Sequence, residues 1–167
     1  MIQKKTQNNV LSVVIISKEK PHMLIKMELS RILIREIADA QFIELREVDG
    51  ERTFPIVVGK PEAYAIDRRL KGIEPPRPQT LELLASIVGE MGGSFQEIVI
   101  DDLQDGTFFA KLKIDCNGEE IVIDSRPSDA IALGIAAQVP ILVEEHVLDE
   151  VEHDGDGYSA PETFDWD

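Results

Sequence analysis

Apolar and polar residues alternate from Leu24 to Ile34, with Ile25, Met27 and Leu29 set against Lys26, Glu28 and Ser30. A period of two is the signature of a strand with one covered face. Two further β-rich runs, Phe42 to Val48 and Thr53 to Val58, are joined around Asp49-Gly50, a strong turn dipeptide, and predict a hairpin. The period then lengthens. "KPEAYAIDRRLKG" predicts a helix: Pro61 fits the first turn, Glu62 suits the positive end of the dipole, and Lys71-Gly72 closes it. "IEPPRPQT" is expected to be an extended loop, because Pro75, Pro76 and Pro78 exclude helix. Thr80 is then expected to cap a second helix running to about Met91, with Leu83, Leu84, Ile87, Val88 and Met91 at helical spacing.

The second half repeats the pattern. Strands are predicted over Ser94 to Asp101, Thr107 to Ile114 and Glu120 to Asp124, with turns at Asp105-Gly106 and Asn117-Gly118. Pro127 to Ala137 reads as a helix, Ile141 to Val143 as a short strand, and Glu144 to Val151 as a terminal helix. At an offset of 67 residues Phe42 maps on Phe109, Leu45 on Leu112, Glu62-Ala63 on Asp129-Ala130 and Ile66 on Leu133. Each copy is a hairpin followed by a helix that opens with proline and an acid. The expectation is a single α+β domain of two pseudo-symmetric βββα-like halves, with an antiparallel or mixed sheet and packed helices.

Polar residues crowd the second helix start in "DSRPSD". Acids in a first turn are favoured by free N–H groups and the macrodipole, which is a sufficient structural reason for Glu62, Ser128 and Asp129. Arg126 is less well explained, since a cation there opposes the dipole. It either bridges Asp124 or Asp129 or holds an anion such as phosphate. Arg77, between prolines in "PPRP", is presented by a stiff loop. The spatial expectation is that Pro61, Pro76 and Pro127 deliver their ionic neighbours to one pocket.

The chain has 167 residues and a net charge of −15, unevenly placed. Ten acids and no Lys or Arg fall between Glu144 and Asp167; the remaining 22 acids against 17 bases leave −5 for the rest. Such a balance disfavours non-specific nucleic-acid binding. One cysteine, Cys116, excludes an internal disulfide framework. The apolar run Val10 to Ile16 is too short to span a bilayer and ends in Ser17-Lys18-Glu19-Lys20, so a cytoplasmic protein with no membrane partner is expected. Residues 1–22 read as an extension, with Met23 an alternative start, residues 23–151 as the domain, and residues 152–167 as an acidic tail expected to be disordered. Many strands with open edges suggest a homo-oligomer. His22, His146 and His153 read as surface groups.

"FPIVVGKPEAYAI", "PPRPQT", "DGTFFAKL" and "DSRPSDAIAL" occur in the order and approximate spacing of the bifunctional nuclease domain family, which the chain resembles over about Met23 to Glu150. The resemblance implies nuclease activity on RNA and DNA. It also implies functional importance for Glu62 and Ala63, for Arg77 and Thr80, and for Asp124, Arg126, Ser128 and Asp129. The family's loop continues with His then Asp where this chain has Leu81 and Glu82. Leucine neither transfers a proton nor binds metal. On residue types and this resemblance, Glu62, Arg77, Asp124, Arg126 and Asp129 are the catalytic candidates, and Arg77, Arg126, Thr80 and Ser128 the substrate-binding ones. Asp124, Asp129 and Glu82, with Glu62 as a further candidate, would hold Mg²⁺ or another divalent cation. The alternative is a non-catalytic anion- or protein-binding regulatory module on the same fold.

Overall fold

A computed structural model describes residues 23–37 and 40–153. The expected extension over 1–22, His22 and the tail beyond His153 lie outside them. The elements in chain order are β1 (Leu24–Leu33), β2 (Gln41–Glu47), β3 (Thr53–Val58), α1 (Lys60–Leu70), α2 (Thr80–Glu90), β4 (Gly93–Gln104), β5 (Thr107–Cys116), β6 (Glu119–Ser125), α3 (Pro127–Ala137), β7 (Ile141–Glu144) and α4 (Glu145–His153). One seven-stranded sheet runs β3-β2-β1-β7-β4-β5-β6. All neighbours are antiparallel except β4 and β7, which pair in parallel from Ile98–Ile141 to Ile100–Val143. The expected α+β class and paired halves are therefore present: β1-β2-β3-α1 and β4-β5-β6-α3 flank the central β7. At an offset of 67 residues α1 and α3 coincide end to end.

Turn chemistry explains the second half closely. Asp105-Gly106 and Asn117-Gly118 all have positive φ, at 48°, 74°, 56° and 89°, as two-residue hairpin turns require. The first half differs. Asp49-Gly50 lies in a five-residue connection from Val48 to Arg52, closed by the Glu47 N–H donating to the Arg52 carbonyl. That wider turn accounts for the one-residue slip between the two turn dipeptides. One other expectation shifts by a residue: Gln79, not Thr80, is the N-cap of α2. The N-cap of α3 is Arg126, and that helix runs Pro127–Ala137 as expected.

The sheet is curled. Phe54 on β3 and Phe108 on β5 come from nearly opposite ends of the strand order, yet their ring centroids are 5.3 Å apart. A flat sheet would separate these strands, five steps apart, by roughly 24 Å, at about 4.8 Å per strand. Irregular register in β1 between Leu29 and Arg31, and in β4 between Phe95 and Glu97 and between Ile100 and Asp102, supplies the bending. α1 and α3 pack on each other and on the sheet. α3 is buried over Pro127, Ser128 and Ala130 to Gly134, as befits a helix apolar nearly all round. Its Gly134 lets Ile98 approach so closely that an added Cβ would fall 2.1 Å from the Ile98 Cδ1.

The pseudo-equivalent Ala63 and Ala130 are both fully buried. With no exposed surface at either site, three more carbons would have to displace neighbours. Ala130→Leu is expected to destabilise the fold by about 2–3 kcal/mol through overpacking, read as a lower midpoint in denaturant with unchanged slope. A variant as stable as the parent would show that the helix pair is loosely packed.

Candidate active site

Because α1 and α3 start side by side, their first turns face each other. The start of α2 joins them. One cleft of about 270 Å³ is lined by Pro61, Glu62 and Ala65 of α1, by Gln79, Thr80, Leu81 and Glu82 at the start of α2, and by Arg126 and Asp129 of α3, with Arg68 and Arg69 on a further wall. Three helix N-termini therefore meet at one hollow, which is favourable ground for negative charge. Each helix carries a carboxylate three residues after its N-cap: Glu62, Glu82 and Asp129.

Every one of these carboxylates holds an arginine. Asp129 accepts from Arg126 Nε at 2.7 Å and from Nη2 at 3.0 Å. Glu62, the pseudo-equivalent of Asp129, approaches the same Nη2 at 2.9 Å. Arg126 is thus clasped by both halves of the repeat, yet its side chain stays 65% exposed. These contacts leave Nη1 uncommitted to either carboxylate. The hydrogen bond that Arg126 donates to Asp129 is the largest influence raising the Arg126 pKa above its ordinary value; burial opposes it, and Glu62 adds to it.

Glu82 serves two cations. Its Oε1 accepts from Arg68 Nη2 at 2.9 Å and from Arg69 Nη2 at 2.7 Å, while Oε2 accepts the Gln79 N–H at 3.0 Å. Arg68 also donates to Gln79 Oε1 at 2.7 Å, and Arg69 to the Ala65 carbonyl at 3.1 Å. The Arg69 side chain is only 7% exposed. Burial lowers its pKa, Glu82 raises it and Arg68 lowers it further, so the net direction is down. Burial pushes the Glu82 carboxyl up, but the Arg68 hydrogen bond and the Arg69 charge together hold it below the ordinary range.

The structure gathers Glu62, Thr80, Glu82, Arg126 and Asp129 at one cleft and leaves three candidates elsewhere. Asp124 lies on β6 and binds Lys111 at 2.6 Å, so of the two expected partners of Arg126 only Asp129 holds it. Ser128 is buried at the start of α3. Arg77 is exposed on the loop before α2 and does not line the cleft. The common pocket expected of the three proline-flanked clusters is thus formed by those at Pro61 and Pro127 and joined by the α2 start. Asp124, Asp129 and Glu82 do not make a common metal donor set, since each faces a different cation. Among the described residues no three His, Cys, Asp or Glu side chains converge to hold a metal ion. His146 stands 3.9 Å from Asp102 and His153 ends α4; neither lines the cleft. Arg68 and Arg69 were not among the site candidates. In the last turn of α1 they suit the helix dipole, and only the return of α2 reveals their partner.

A depressed Glu82 pKa makes a stability statement. The contribution is complete above the ordinary value of 4.5 and is lost as pH falls through the lower folded-state value. Glu82→Gln would leave Arg68 and Arg69 adjacent without their counter-charge, costing roughly 2–3 kcal/mol at neutral pH. The stability gap between parent and variant is expected to shrink on acidification below that value. A gap independent of pH would deny Glu82 its ionic role.

Sequence comparison gives the family. The bifunctional nuclease domain profile matches residues 43–155. An uncharacterized protein of Mycobacterium tuberculosis (strain ATCC 25618 / H37Rv) is 46% identical over 104 residues, covering 62% of this chain and 62% of its own length. Bifunctional nuclease 1 of Oryza sativa subsp. indica is 27% identical over 118 residues, covering 68% of this chain and 36% of its own. Bifunctional nuclease 2 of Oryza sativa subsp. japonica is 29% identical over 114 residues, covering 66% and 35%. The chain therefore spans less than two thirds of the length of these relatives. Among the described residues no helix is long and apolar enough to cross a membrane. With the profile spanning both helix starts that clasp Arg126, the chain belongs to the bifunctional nuclease domain family.

Proposed function

We propose that the protein hydrolyses phosphodiester bonds of RNA or DNA in the cleft where α1, α2 and α3 begin. One observation carries the reading: Arg126 is fixed by carboxylates on two sides, largely exposed, and free at Nη1 to donate to a phosphate oxygen. A guanidinium held in advance stabilises charge building on the phosphoryl oxygens without rearranging. Thr80 and the α2 N-terminus border the same hollow and add donors. Arg77, exposed beyond the cleft, is assigned to a flanking phosphate.

The two carboxylates on Arg126 have separable roles. Asp129 engages it through two hydrogen bonds and positions it; Glu62 meets only Nη2. A phosphate oxygen competing for Nη2 releases Glu62 first. The freed carboxylate takes a proton from a water as the water oxygen bonds to phosphorus. The ester P–O bond then breaks and its oxygen leaves as an alcohol, protonated from solvent. A divalent cation would have to displace an arginine to reach Asp129 or Glu82. A second reading, a non-catalytic anion-binding module, is favoured by one feature: Leu81 stands where the family pattern has histidine, and among the described residues no imidazole lines the cleft.

Purified protein is expected to cleave labelled RNA or DNA, and Arg126→Ala to lower the rate about 100-fold or more. Arg126→Lys should not restore it, because an ammonium cannot bridge two carboxylates in a fixed plane. Glu62→Gln should retain binding and lose cleavage. Folded Arg126→Ala protein that cuts like the parent would remove the site from consideration, and binding without cleavage by the parent would favour the second reading. Cleavage is expected to survive EDTA; loss on chelation with recovery in Mg²⁺ would return a metal to the chemistry.

A further inference from the structure

The two equivalent helix starts differ at the N-cap. At an offset of 67 residues Glu62 falls on Asp129 and Ala63 on Ala130, but Gly59 stands in α1 where α3 has Arg126. Both N-caps are extended, with φ and ψ of −72° and 160° at Gly59 and of −69° and 143° at Arg126. Any residue adopts that backbone. The glycine at position 59 is therefore not required by its own dihedrals, and the same conformation carries a long side chain in the other half.

The requirement comes from Glu62. A Cβ added at Gly59 would fall 2.3 Å from Glu62 Oε2 and 3.2 Å from its Cδ. The next atom beyond the chain neighbours, Pro61 Cδ, would lie at 3.7 Å, an ordinary contact. Alanine there would thus disturb the carboxylate and little else. The other carboxylate oxygen, Oε1, is the one that stands 2.9 Å from Arg126 Nη2. Glu62 is therefore wedged between a bare stretch of backbone and the guanidinium, its side chain 19% exposed. The other two acids at this helix position are held from their own helix starts. Asp129 accepts from the side chain of its own N-cap, Arg126, and Glu82 accepts from the N–H of its own N-cap, Gln79. Glu62 reaches across to the N-cap side chain of the other half.

We infer that Gly59 is a positioning residue: by lacking a side chain it leaves the Glu62 carboxylate the space from which it meets Arg126. A single arginine then serves both acids. Alanine at this position costs the fold little, because Gly59 is exposed and what must move is the free end of a flexible side chain. It costs the cleft one of the two carboxylates on Arg126. Asp129 still holds the guanidinium through two hydrogen bonds, so the phosphate donor stays in place while the group that takes the proton from water is pushed aside. That consequence for cleavage rests on the proposed function; the placement of the carboxylate does not.

A crystal structure of the Gly59→Ala protein is expected to show Glu62 turned away from Arg126, with the Arg126–Asp129 contacts kept. The melting midpoint should stay close to the parent's, since the backbone already suits alanine. On labelled RNA or DNA, kcat should fall about tenfold or more with KM nearly unchanged. Glu62→Gln should lower kcat less in the Gly59→Ala background than in the parent, because both changes remove the same contact. Gly89→Ala on α2, where an added Cβ meets nothing within 4 Å, should leave kcat and KM at the parent's values. Glu62 still touching Arg126 in the Gly59→Ala protein would overturn the inference whatever the activity. So would a variant that does not fold, by showing that position 59 serves the backbone. A displaced Glu62 with unchanged kcat would overturn the part of Gly59 in the reaction. A displaced Glu62 in a protein whose parent does not cleave would uphold the placement and strike the nuclease reading instead.

Discussion

The site depends on one packing constraint: α1 and α3 must bury against each other. They leave opposite edges of a sheet whose curl turns those edges toward one another, and each brings fully buried positions, Ala63 and Ile66 in one, Ala130 and Ile131 in the other. Packing two equivalent helices side by side also sets their equivalent N3 acids side by side. Glu62 and Asp129 would repel each other if left alone. Arg126, the N-cap of α3, occupies the space between them. An arginine at a helix start is unfavourable for the dipole of its own helix. It is favourable where two carboxylates face each other, because the local charge without it would be −2.

The same logic extends to Glu82. Its helix start is satisfied internally through the Gln79 N–H, and externally it neutralises an arginine pair that α1 could not hold alone. Arg69, with its side chain only 7% exposed, needs that carboxylate. The three acids and three arginines bordering the cleft therefore balance. An anion entering gains little from net potential and depends on a donor not already in use. Recognition then falls on whichever cation keeps an uncommitted amino group and an open approach. Arg126 meets both conditions; Arg69 meets neither.

Much of this was legible in the sequence because its signals are local. Asp105-Gly106 and Asn117-Gly118 force positive φ whatever surrounds them, and the acid-bearing starts of α1 and α3 declare themselves by proline and dipole. The 67-residue repeat even places Glu62 and Asp129 at equivalent positions. What it does not reveal is that equivalent positions touch. That follows from the curl of the sheet, which arises from irregularities in β1 and β4 that leave no compositional mark. Asp124 was misleading for the opposite reason. It is two residues from Arg126, but strand alternation turns it toward Lys111 on β5.

Leu81 shows how a lost polar residue can be absorbed. Where the family pattern has histidine followed by aspartate, this chain has Leu81 and Glu82. Leu81 packs against the core cluster. It also lines both the arginine cleft and the neighbouring hollow of about 410 Å³ under Ile73, Pro75 and Pro78. Arg69 and Glu82 line the same two hollows, so an apolar side chain stands beside their contact. The longer acid beside it reaches both arginines. The pair of changes thus converts a position suited to proton transfer into one suited to holding α1 and α2 together. Any proton acceptor for chemistry in the cleft must then come from the α1 and α3 starts, where Glu62 has the weaker grip on Arg126 and is the one free to let go.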